Sequence, residues 1–136
     1  MKRKNQRTKQ AGTALVEATL TMLLYCMIVF SLFDFGYVMY LHQTIVDRAR
    51  AAARYGSLNP TDTTGMKNVV LYYSATGSGA AIFGLQTSNV SATRSGVGTT
   101  SDRVTIVVSG FSYFAVWPGS SSTGKPITVS IPVENN

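Results

Sequence analysis

Catalysis needs groups that carry charge, protons or lone pairs close together, and this chain has few of them. It holds six Asp and Glu residues, one histidine and one cysteine in 136 residues. His42 cannot build a histidine metal cluster alone, and Cys26 has no second thiol for an intrachain disulfide. The acids Glu17, Asp34, Asp47, Asp62, Asp102 and Glu134 are too scattered to mark an acid–base pair. Gly77, Gly79 and Gly84 lack dinucleotide-binding spacing, no phosphate loop is present, and Asn89-Val90-Ser91 is a glycosylation triplet to which we assign no role. We therefore expect no catalytic residue, no metal, no cofactor and no enzyme activity. One acid does need a chemical reason. Glu17 is followed by Ala18 to Phe33, sixteen residues without a formal charge. A carboxylate at the centre of hydrocarbon costs about 3 kcal/mol on insertion scales. Either Glu17 lies at the interface, where a negative charge suits a helix N-terminus, or it meets a cationic partner, an attraction that low dielectric strengthens.

The charges around Glu17 set its surroundings. Lys2, Arg3, Lys4, Arg7 and Lys9 precede it, with no acid among residues 1–12. Of the net charge of +6, that tail supplies five units, and seven basic against six acidic residues remain beyond it. The body is nearly neutral, so a nucleic-acid surface is not expected. A basic tail before an apolar run instead predicts a cytoplasmic N-terminus. Cys26, mid-run, reads as a small packing residue.

The elements that position these residues follow from periodicity. Residues 1–12 form a basic leader without expected structure. Thr13 to Leu41 is apolar apart from Glu17, Asp34 and small polar residues, and Ala18 to Leu41 as a helix would measure about 36 Å against about 30 Å of hydrocarbon. Asp34 then falls near the outer interface, as a water-facing marker or as a ligand for a partner helix. Phe30, Phe33, Phe35, Tyr37 and Tyr40 suit packing and an aromatic belt. His42 to Tyr55 continues the helix amphipathically. Ile45, Ala49 and Ala52 share a face, with Val46 and Ala53 beside it. Asp47 and Arg50 form an i,i+3 pair on another face with Gln43 and Arg54. Arg50 and Arg54 read as a solvated face or as a partner contact. Gly56, ahead of Ser57, Asn59 and Pro60, predicts the stop.

Residues 57–136 must cover the Ile/Ala face. Thr61-Asp62-Thr63-Thr64 offers N-caps for a short helix over 63–74, although Val69 to Tyr73 is also rich in strand formers. Residues 74–84 read as loop, 90–94 as a weak strand and 95–102 as a turn. Residues 103–109 read as a strand, and 111–117 as an aromatic segment ended by Pro118-Gly119. Ile127, Val129, Ile131 and Val133 alternate with polar residues as a strand, with Pro132 at its end or edge. The expected fold is α+β: a long transmembrane and amphipathic helix with a small antiparallel sheet. The divisions are a leader (1–12), a helix (13–56, with its membrane half at about 18–41 and its amphipathic half at 42–56), and an extracytoplasmic domain (57–136).

If the chain were cut after Gly12, Thr13 would be its N-terminus and Glu17 its fifth residue, an acid one helical turn from a new ammonium group. Basic leader, Gly, cut, Glu at the fifth position and apolar helix together resemble the type IV prepilin signal, although Thr13 stands where many pilins have Phe or Met. The likeness extends through Asp34-Phe35-Gly36-Tyr37, Gln43 and Arg48-Ala49-Arg50-Ala51-Ala52-Ala53-Arg54-Tyr55-Gly56. Over about residues 12–56 the chain resembles the TadE-like family, minor pilins or pseudopilins of tight-adherence (Tad/Flp) systems.

That resemblance implies a type IV pilin-like fold and processing by a membrane aspartic prepilin peptidase. It implies a role for Glu17 in assembly, with other minor and major pilins and the Tad inner-membrane platform as partners. The place implied is the bacterial inner membrane, N-terminus inside, with incorporation into an adhesive pilus as the outcome. The alternative left open is an uncleaved signal anchor that presents a small binding domain to an envelope partner.

Overall fold

The computed structural model describes residues 3–114, 119 and 121–134, and for 3–11 the backbone alone. A single helix, α1 (Arg3–Leu58), has 56 residues and is about 84 Å long. The expectation of an unstructured leader is corrected from residue 3 onward, because the backbone there is already helical. Lys, Arg, Gln and Ala are good helix formers, and Gly12 costs only about 1 kcal/mol relative to Ala. The first proline, Pro60, lies beyond the helix, and it biases Asn59 away from helical geometry.

Gly56 does not stop the helix either. It is buried in the last turn, where an added Cβ would lie 2.9 Å from both Met66 Sδ and Val104 Cγ1. Its role is close approach: without a side chain, α1 can press against the next helix and the sheet together.

Helix α2 (Thr63–Tyr72) starts at an N-cap, the Asp62 carboxylate accepting the Gly65 N–H at 2.8 Å. The strand alternative over Val69 to Tyr73 is not realised. The helix ends at Tyr72, two residues short of the expected limit; the cap residue Tyr73 turns left-handed at φ 59° while its N–H still bonds to the Val69 carbonyl. Met66, Val70 and Leu71 point into the core.

Among the described residues five strands follow: β1 (Val90–Ser95), β2 (Arg103–Val108), β3 (Ser112–Phe114), β4 (Ser121–Thr123) and β5 (Ile127–Pro132). β1, β2 and β5 form an antiparallel sheet with β2 central, and β3 pairs with β4 in a separate ribbon. The serines after Gly119, to which the sequence assigned no element, form a strand at residues 121–123. Trp117 and Pro118 of the aromatic segment lie outside the described residues. In β5 the expected alternation holds. Val133 N–H bonds to the Asp102 carbonyl, so in this ladder the hydrogen-bonded pairs fall at Ile131, Val129 and Ile127. The Pro132 nitrogen therefore faces the free edge, where a missing N–H breaks no ladder bond.

One face of the sheet is polar, with Thr105 Oγ1 bonded to Ser130 Oγ at 3.1 Å. Val104, Ile106 and Val108 on the other face are fully buried, with Val90 and Ile127 beside them. They form one core with Leu41, Ile45, Ala49, Ala52 and Ala53 of α1 and with Met66, Val70 and Leu71 of α2.

Candidate functional site

The inner half of α1 is apolar on all sides, and among the described residues the window that qualifies as a membrane span is not buried at all. A helix that is hydrophobic all round requires an apolar surrounding. Three of its small hydroxyl side chains bond back to carbonyls of the same helix. Thr19 donates to the Val16 carbonyl at 2.8 Å, Thr21 to Glu17 at 2.9 Å and Ser31 to Met27 at 2.9 Å. Hydroxyls bonded to their own helix can enter lipid cheaply. Among the described residues α1 is the one helix long and apolar enough to cross a membrane, which suggests single-pass anchoring.

Glu17 stands apart from this pattern. Its backbone carbonyl accepts the Thr21 hydroxyl, but no hydrogen bond or ion pair reaches its carboxylate among the described residues. It lines a shallow apolar groove with Ala14, Ala18, Thr21, Met22 and Tyr25. Small residues one turn apart let another helix approach closely, so the acid sits where a neighbouring backbone would arrive. Gly12 lies on the same uncovered helix, and an added Cβ there would meet nothing within 4 Å. Neither Gly12 nor Thr13 contributes to the folded core.

Asp34 lies 17 positions beyond Glu17, about 26 Å along the axis. It lines a groove with Phe33, Tyr37 and Phe114, the last contributed by β3. The structure thus brings Asp34 to the foot of the folded domain and away from Glu17. Arg50 and Arg54 lie together on a third surface. With Asp47, Ala51, Val129 and Ile131 they line a groove between α1 and the edge strand β5. The expected Asp47–Arg50 pair is present at 3.6 Å, with both side chains more than half exposed, so it adds little stability.

Three polar features escaped the sequence analysis. Arg94 and Asp102 form a two-pronged ion pair, with Nε to Oδ1 at 2.9 Å, across the β1–β2 turn. The guanidinium holds the Asp102 carboxyl below the usual carboxylate range, against the opposing effect of burial. Tyr55 donates its hydroxyl to Asp62 at 2.8 Å. Asp62 is held low chiefly by the Gly65 N–H and secondarily by that phenol, whose own pKa is raised. Arg48 stacks over the Tyr73 ring at 4.7 Å, while its buried Nη1 has no hydrogen-bond partner among the described residues. Arg48 sits one position before Ala49 in the buried stripe, which was the available signal. The other two pairs join residues separated by turns, and no local spacing announces them.

Residues 12–54 match the family described as TadE-like protein. Neither a curated protein nor a solved structure matches the chain.

Proposed function

Taking residues 12–54 as a TadE-like segment, associated in general with Tad pilus components, we propose that the protein is a minor pilin or pseudopilin of a tight-adherence system. In this reading the leader is cut between Gly12 and Thr13 by a prepilin peptidase. The new Thr13 ammonium group of one subunit meets Glu17 of a neighbour during assembly. The Glu17 carboxylate, unpartnered among the described residues and beside Ala14, Ala18 and Thr21, five positions beyond Gly12, is the observation that carries this reading. In hydrocarbon either charge alone is costly and the two together are less so, so only a processed and correctly placed neighbour relieves the penalty. Other minor and major pilins and the inner-membrane platform are the partners, and residues 57–136 face outward from the bacterial inner membrane.

The test is the mature N-terminus. Intact mass of protein from its native membrane should correspond to a chain beginning at Thr13, and Gly12→Val should leave the leader attached. Position 12 has open space around it, so the substitution addresses peptidase recognition and not folding. A mature chain that still carries residues 1–12 would favour the uncleaved signal-anchor reading. A reporter fused after Asn136 should be active only outside the cytoplasm.

A further inference from the structure

Two exposed phenyl groups of the folded domain, Phe83 and Phe114, lie at the same end of it, apart from exposed Tyr73, which stacks with Arg48 farther along α1. Phe114 of β3 is 59% exposed and shares its groove with Phe33, Asp34 and Tyr37 of α1. Phe83, in the turn before β1, meets the Tyr40 ring edge-on at 6.1 Å and is still 37% exposed. Phe83 also holds a left-handed backbone, φ 50°, an uncommon conformation for a residue with a side chain. These two segments lie far apart in the chain, yet both arrive beside residues 33–40 of α1. The opposite environment is on the outer face of the sheet, where Ser91, Thr93 and Ser95 of β1 are exposed.

The level of that aromatic end along the helix identifies what it meets. Hydrocarbon about 30 Å thick corresponds to about 20 helical residues. Counted from residues 13–17, after the basic leader, the span leaves hydrocarbon at about residues 33–37. Phe114 is at that level, and Phe83 is about one turn farther out. Phenyl groups left exposed to water at the level where the anchor emerges are continuous with the membrane-facing surface of α1, and aromatic residues are enriched at such interfaces.

We propose that the outer domain rests on the bilayer, with Phe83 and Phe114 set in the interfacial lipid layer. The domain then has three lipid contacts: the emerging helix, the turn at residue 83 and the β3–β4 ribbon. They fix its orientation and the depth of Asp34. This inference rests on α1 spanning the bilayer and does not depend on processing or assembly.

The test uses the full chain with Cys26→Ser, reconstituted in phosphatidylcholine–phosphatidylglycerol vesicles at one chain or fewer per vesicle. Nitroxide labels are placed singly through Phe83→Cys, Phe114→Cys, Thr93→Cys and Leu24→Cys, and their collision rates with oxygen and with a neutral nickel chelate are compared. The expected ratio of oxygen to chelate accessibility at 83 and 114 is several-fold above that at 93 and below that at 24. An aqueous ratio at 83 and 114, with 24 deep in lipid, would overturn the resting domain and leave the anchor standing. An aqueous ratio at 24 would overturn both. Labels at 83 and 114 shielded from both reagents, increasingly so at higher protein density, would assign the surface to a second chain and overturn the lipid contact.

Discussion

The two halves of α1 share one backbone and bury their side chains in different ways. In the inner half Leu32 is 72% exposed and Leu20 63%; in the outer half Ile45, Ala49, Ala52 and Ala53 are at 0%. The inner half is apolar on every face, and among the described residues no element covers its membrane-span window. The outer half is apolar on one stripe, and α2 with the β1–β2–β5 sheet covers it. The outer half therefore obtains its burial within the chain, whereas the inner half must obtain it from lipid or from other helices. Stability should then respond to substitutions in the outer half, and assembly to substitutions in the inner half.

The largest effect on stability should come from the centre of the outer core. Ile106→Ala removes buried methyl groups facing α1 and should cost the domain about 2–5 kcal/mol, read as a lowered urea midpoint in detergent. Insertion, followed by resistance to alkaline extraction, should be unchanged. Loss of insertion would mean that the two halves are not independent.

Gly56→Leu should come next. It forces a side chain between α1, Met66 and Val104 and should cost about 1–3 kcal/mol by the same measurement. An unchanged midpoint would show that the close approach at residue 56 is slack.

A smaller effect should appear with pH. Asp62 and Asp102 are held below the usual carboxylate range in the folded domain. The unfolded chain therefore takes up protons at higher pH than the folded one, and the stability these acids contribute is complete above the unfolded carboxyl pKa, about 4. It is lost as pH falls through their folded values. The urea midpoint should be level from neutral pH to about 5 and then decline. Asp102→Asn should lower the plateau and flatten the decline. A midpoint that rises with acid would contradict the assignment of both acids.

How much of this could be read from the sequence depended on whether the signal was local. The alternation of Ile127, Val129 and Ile131 announced β5, and the spacing of Met66, Val69 and Val70 announced α2, because each pattern is a single element facing one core. The Ile45, Ala49 and Ala52 stripe announced that a cover was needed. Gly56 was misread as a stop because its reason lies in Met66 and Val104, which only the tertiary fold brings near. Ser121 to Thr123 carries no periodic signal of its own and becomes a strand through pairing with β3. For the candidate site, spacing alone singled out Gly12 and Glu17, and the fold leaves both outside the core. That Asp34 shares a groove with Phe114 depends on the path of a distant ribbon and was not legible.

The smallest expected effect on stability is the one that matters most for function. Glu17→Ala should leave the urea midpoint of the outer domain and the membrane level unchanged, since residue 17 has no contact with the core and the variant helix is more apolar. The direct measurement is recovery of pili from cells carrying Glu17→Ala, with membrane level and processed size read from the same preparation. The account predicts normal level, normal processed size and loss of pili. Normal pili at normal level would contradict it and leave Glu17 as an interfacial charge.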